Sequence, residues 1–154
     1  MATHNAVFRA AVHDDLPRLV AMLADDELGA QREDPSTPLN PAYASAFAEL
    51  DADPNNALVI AEIDGKAVGM MQLTFIPYLT HTGSWRCLVE GVRVAVNQRG
   101  RGLGAALLRH AIEIARERGC RLVQLTSDKR RPEALRFYRS LGFEATHEGF
   151  KLPL

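Results

Sequence analysis

Between Asn97 and Leu108 the chain reads NQRGRGLGAALL, with glycines at 100, 102 and 104, arginines at 99 and 101, and then an apolar run. Alternating glycines cost backbone entropy and remove packing side chains, so bare backbone is needed here. A glycine turn that opens a helix points unpaired N–H groups at one spot, and the helix dipole adds positive potential there. Together these make an anion site. Arg99 and Arg101 add charge beside it. The plainer alternative is a tight strand-to-helix turn; three glycines flanked by arginines favour phosphate. Upstream, Glu90 sits in the apolar run CLVEGVRV. A carboxylate there can accept a proton, and desolvation favours its protonated form. Gly91 beside it suggests a β-bulge that opens a slot next to the strand. The structural alternative for Glu90 is an ion pair with Arg93 or Arg86. Downstream, Tyr138 shares a helix face with Ala134 and Leu141, and by periodicity alone it reads as core.

These groups need elements to hold them. A first strand is predicted over Val7–Val12, then a helix opened by Asp14 with Leu16, Leu19, Val20 and Leu23 at helical spacing. The polar stretch Glu27 to Asn40 reads as a long loop, and PAYASAFAEL as a second helix. ALVIAEI and KAVGMMQLTFI flank Asp64-Gly65, which is a hairpin signal. After the loop PYLTHTGS comes WRCLVEGVRVAV, a central strand that runs straight into the glycine turn. Leu103, Leu107, Ala111 and Ile114 then share a helix face, with Arg109, Glu113, Arg116 and Glu117 largely opposite. Gly119 stops that helix. RLVQLTS is a short strand, and RPEALRFYRSL is a helix closed by Gly142. The tail FEATHEGFKLPL suggests one or two final strands. The expected order is β-α-α-β-β-β-α-β-α-β(-β), an α+β domain spanning 1–154 with a mixed sheet and about four helices.

Composition narrows the class. The hydrophobic fraction is 47% and charged residues are 24%, ordinary for a globular domain able to bury a core without staples. A net charge of −1 gives no basic excess for nucleic acid. Cys87 and Cys120 lack metal-ligand spacing and fit a reducing compartment. No signal peptide or membrane span is predicted, so the expected location is the cytoplasm. No His/Cys/Asp cluster has metal spacing, and no metal is expected.

Gly100, Gly102 and Ala105 satisfy a loose G-x-G-x-x-A pattern, and Asp128 ends the next strand. A dinucleotide fold, however, needs that fingerprint after an early strand, with further βαβ units behind it. Here a β-meander precedes it, and no Gly-Lys-Ser/Thr follows to make a Walker loop.

VRVAVNQRGRGLGAALL resembles the acetyl-CoA-binding motif of the GCN5-related N-acetyltransferases, Arg/Gln-x-x-Gly-x-Gly/Ala, with Arg99, Gly102 and Gly104 in its fixed positions. ALRFYRSLGF resembles that family's later helix-strand motif, and FRAAVHDDLPRLVAML its opening strand and helix. The resemblance departs at Val96, where the family often has proline, and at Arg131, where it has asparagine. It implies the family's fold, acetyl-CoA as donor and a small-molecule amine as acceptor, with a homodimer as the family's habit.

For the cofactor it implies Val92, Val94, Arg99, Gly100, Arg101, Gly102, Leu103, Gly104, Ala105 and Phe137, with the Val94 N–H polarising the carbonyl; Arg131, standing in the asparagine's place, is read as reaching a cofactor phosphate or, alternatively, a solvent-facing carboxylate. It makes Glu90 the base and Tyr138 the general acid, whose phenol has an ordinary pKa of about 10, suited to reprotonating a thiolate. On the acceptor side it nominates Glu33, Asp34, Tyr43, Tyr78 and His81, each of which also reads as a solvated loop residue; His147, in the final strand region, reads as a substrate contact or a second base, with a structural histidine as the plainer alternative. RFYRSLGFEATHEGFKLPL, with GMMQL and HTGSW, bears a faint resemblance to aminoalkylphosphonate acetyltransferases, a hint towards a small amine.

Overall fold

The structure is a computed structural model that describes residues 5–154. The chain divides into two compact units, one running to Gln124 and the other from Leu125 to Leu154.

The first unit is built on a sheet. β1 (Val7–Ala10) is followed by a 3-10 turn and α1 (Leu16–Ala24), α2 (Glu27–Arg32) and α3 (Pro41–Ala52). β2 (Asn56–Ile63) and β3 (Lys66–Pro77) form the expected hairpin. Asp64 and Gly65 both take positive φ at its tip, 51° and 73°, as a twist-matched two-residue turn requires. A single turn, α4 (Thr80–Gly83), leads to β4 (Trp85–Val94); α5 (Leu103–Glu117) and β5 (Leu122–Leu125) follow. The strands lie in the order β1-β2-β3-β4-β5, and β1 to β4 pair antiparallel.

The core lies where the alternation and helical spacing put it. Leu103, Leu107, Leu108, Ala111 and Ala115 of α5 are buried, while Arg109, Glu113, Arg116 and Glu117 face water. Ile114, expected on the inner face, is half-buried, and Leu108 and Ala115 fill the stripe instead. Leu16, Leu19, Val20 and Met22 of α1 are buried, and so are Met71, Leu73, Phe75, Cys87 and Val89 of the sheet. Each fully buried leucine contributes about 1.5–3 kcal/mol.

Asp15, not Asp14, anchors the start of the first helical segment. Its carboxylate accepts the Val12 N–H at 2.8 Å and meets Arg9. Hydrogen bonding from Arg9 holds that carboxyl below the usual range.

Two further expectations change. The stretch from Glu27 is not all loop: α2 is capped by Asp26, whose side chain accepts the Gly29 N–H. Gly29 is buried so close to α1 that a Cβ there would stand 1.9 Å from the Leu23 carbonyl oxygen. Only glycine allows that approach.

The second unit holds α6 (Pro132–Ser140). The final strands expected in FEATHEGFKLPL do not form, and residues 143–154 carry no regular structure. Gly149 and Pro153 interrupt the alternation and weaken any ladder, and Phe150 and Leu152 are exposed. No helix among the described residues is long and apolar enough to cross a membrane.

Candidate active site

The bulge inferred from Gly91 is present. Gln72 pairs with Glu90 and Met70 with Arg93, so Gly91 and Val92 together oppose Met71 alone. Gly91 has φ +61°, the left-handed first residue of a glycine bulge, and a Cβ there would meet only Leu23 Cδ2 at 3.9 Å. Glycine is therefore required by backbone conformation rather than by space. Glu90, immediately before the bulge, is exposed and not enclosed by apolar neighbours as the sequence suggested. Neither arginine weighed as its ion-pair partner makes a salt bridge with it among the described residues. Arg93 reaches Asp26 at 3.7 Å, and Arg86 donates to Gln124.

At the end of β4 the Ala95 N–H goes to the Val68 carbonyl at 2.8 Å. Donors alternate along an extended strand, so the N–H of Val94 is directed away from β3. Beyond Val94, Gly100 and Gly102 take φ +74° and +85°. Gly102 is the N-cap of α5 and offers no side chain to it. The first N–H groups of α5, from Leu103, Gly104 and Ala105, have no intrahelical acceptor and keep their positive potential. A Cβ at Gly100 would meet nothing within 4 Å, so the turn has open space beside it. Such an uncapped helix start suits an anionic group. The Leu103 side chain is 1% exposed, so only its backbone is available at this helix start.

The two arginines differ. Arg99 is fixed: Nε donates to the Val94 carbonyl at 3.1 Å, and Nη2 donates to the Asp25 carbonyl at 3.2 Å and faces that carboxylate at 3.6 Å. It ties the turn to the end of α1. Arg101 is exposed and makes no ion pair among the described residues.

The acceptor-side residues of this unit fall into two groups. The Tyr43 hydroxyl donates to Glu33 Oε2 at 3.0 Å and accepts the Asp34 N–H at 2.9 Å. Glu33 also takes Arg32 at 2.8 Å. Burial, above all, pushes the Tyr43 phenol up. These three residues pin the connection between α2 and α3. Tyr78 and His81 lie in the β3–β4 connection, with Tyr78 under the Arg86 guanidinium and His81 exposed.

In the second unit, Phe137 and Tyr138 stack obliquely at 5.3 Å, and Tyr138 meets Phe143 edge to face at 6.0 Å. Phe143 N–H donates to the Tyr138 carbonyl and Gly142 N–H to that of Arg139. This is the paired C-terminal cap of a helix, with its customary apolar contact between Tyr138 and Phe143. The FYRSLGF spacing therefore has a local physical cause: it orients the Tyr138 ring. Gly142→Ala should cost about 1–2 kcal/mol, because φ +93° is strained for alanine although space is open. Thermal unfolding would show this as a fall of a few degrees; an unchanged midpoint would contradict it. Arg131 is the N-cap of α6 and lies near Asp128, whose carboxyl is held well below the usual range, chiefly by Arg130. His147 is exposed and contacts Thr146 at 2.7 Å. Among the described residues no cluster of His, Cys, Asp or Glu could hold a metal ion.

Residues 19–143 match the family model described as Acetyltransferase (GNAT) family. An aminoalkylphosphonate N-acetyltransferase of Salmonella typhimurium is 30% identical over 141 residues, 92% of this chain and 84% of that protein. A glucosamine 6-phosphate N-acetyltransferase of Trypanosoma brucei brucei is 38% identical over 90 residues, 58% of this chain and 59% of that protein. A crystal structure described as a transcriptional regulator from Bacillus halodurans C-125 is 51% identical, with a TM-score of 0.95 over 97% of this chain and 100% of that one.

Proposed function

The chain belongs to the acetyltransferase (GNAT) family and is an acetyl-CoA-dependent N-acetyltransferase, and from that premise we propose that it acetylates the primary amine of a small molecule by direct attack, with both substrates bound together. The observation that carries this reading is the uncapped start of α5 directly behind the bulged strand that presents Glu90. Two relatives act on amines that also carry a phosphoryl group, which supports a small polar acceptor.

Acetyl-CoA, when bound, supplies the acetyl group as a thioester. The backbone N–H groups at Gly102 to Ala105 hold its pyrophosphate, Arg101 adds charge, and Arg99 keeps the turn in place. Val92 and Val94 line its arm, and the family motif adds Arg131 and Phe137. Glu90 takes a proton from the acceptor ammonium, directly or through one water, and so frees the nitrogen lone pair. The nitrogen bonds to the carbonyl carbon while the Val94 N–H supports the carbonyl oxygen. The carbon–sulfur bond breaks, Tyr138 gives its proton to the departing thiolate, and the surplus proton of the acylated nitrogen passes to the Tyr138 phenolate, leaving a neutral amide.

Initial rates varied in both substrates test this order of events. Intersecting lines, with no thiol release before the amine is added, are expected. Parallel lines with a burst of thiol would mean an acetyl-enzyme and overturn direct attack. The half-identical protein described as a transcriptional regulator favours one second reading, a module that binds acyl-CoA and signals without turnover. Saturable thiol release in the same assay excludes it.

A further inference from the structure

Arg86 lies on the face of β4 that carries Glu90. Arg86, Leu88 and Glu90 pair with Ile76, Thr74 and Gln72 and alternate onto one face, whereas Cys87 and Val89 are buried. Glu90 lies four strand positions beyond Arg86, about 13 Å between Cα atoms. The guanidinium is half-buried and sits 3.6 Å from the Tyr78 ring centroid. Nη1 donates to Gln124 Oε1 at 2.9 Å, and Nε is buried without a hydrogen bond.

Among the described residues no carboxylate pairs with Arg86. The first unit's other half-buried arginines are both paired, Arg9 with Asp15 and Glu62, and Arg93 with Asp26. A guanidinium stays charged at any ordinary pH, and withdrawing it from water without a counter-ion is costly. The turn that carries Tyr78 is strained as well. His81, Thr82 and Gly83 take φ 52°, 61° and 66° in succession. For the two residues with a Cβ this is a strained backbone conformation. Such strain is characteristic of ligand clamps, and here the turn is closed by the Tyr78 N–H on the Ser84 carbonyl at 2.9 Å.

We infer that Arg86, held by Tyr78 and Gln124, binds an anionic oxygen group on the acceptor, so that the enzyme selects amines carrying a phosphoryl or carboxylate group. The planar donor fork suits both groups, and the acceptor's amine then faces Glu90 on the same strand. This rests on the acetyl-transfer reading above.

The test is the steady-state kinetics of wild type and Arg86→Gln with aminoethylphosphonate, β-alanine and uncharged ethanolamine at saturating acetyl-CoA. Wild type should prefer the anionic amines. In Arg86→Gln the ratio of kcat/KM for aminoethylphosphonate to that for ethanolamine should fall about 30-fold, mostly through KM. Arg86→Lys, which keeps the charge and loses the fork, should recover part of that ratio. A fall for aminoethylphosphonate alone assigns the site to phosphoryl groups, and a fall for β-alanine as well assigns it to both anions. An unchanged ratio, or an equal loss on all three amines, makes Arg86 structural and overturns the inference. Wild-type turnover of ethanolamine without preference for the anions overturns the inference alone, and no turnover of any amine removes the reading beneath it as well.

Discussion

Gly102→Val should weaken acetyl-CoA binding by at least about 100-fold, measured by calorimetry. Gly102 has φ +85°, a conformation that β-branched residues essentially do not adopt. Valine would either strain the turn or rotate it, and in both cases the first N–H groups of α5 would no longer converge. Its side chain would also occupy the space that a phosphate needs against bare backbone. Gly102→Ala should have a smaller effect in the same direction, so a graded loss separates the site from general unfolding. The buried stripe of α5 starts at Leu103 and stays intact in both variants, so the cooperative unfolding transition should remain. Unchanged affinity in the valine variant would sink the pyrophosphate assignment.

Tyr138→Phe should lower kcat about 100-fold while leaving acetyl-CoA affinity within about twofold. Phenylalanine keeps the ring between Phe137 and Phe143 and keeps the backbone cap made by Gly142 and Phe143. Only the phenolic hydroxyl, with its proton, is removed. That proton is the one assigned to the leaving thiolate, so the loss belongs in turnover and not in binding. If affinity collapsed and turnover fell only with it, Tyr138 would be a packing residue.

Local chemistry made part of this arrangement readable before any coordinates. The Asp64-Gly65 hairpin, the bulge at Gly91 and the helix stop at Gly119 are each set by one or two residues with a conformational demand that few others meet. The glycine turn ahead of α5 belongs with them. Features that depend on distant partners were not readable. Arg99 looked like a mobile charge, but its anchor at Asp25 lies 74 positions away. Glu90 looked enclosed because its sequence neighbours are apolar, yet alternation turns it outward while Cys87 and Val89 go in. The six residues of α2 are too few for a period, and Gly29 reads as a breaker until Leu23 is seen against it. The tail showed an alternating pattern, but alternation supplies a face and not a partner strand. Tyr43 and Glu33 were chosen as acceptor contacts, and their hydrogen bond shows a second task, holding the connection between two helices. Arg86 entered the sequence reading only as a partner for Glu90. That no carboxylate among the described residues pairs with it is a tertiary fact.

Release of the coenzyme A thiol from acetyl-CoA, followed with and without a panel of amino acids, polyamines, aminoglycosides and aminophosphonates, tests the central claim most directly. The expected result is release that requires an amine, saturates in it, and is lost with Gly102→Val. Acetyl-CoA binding by calorimetry with no thiol release from any amine of the panel would contradict it.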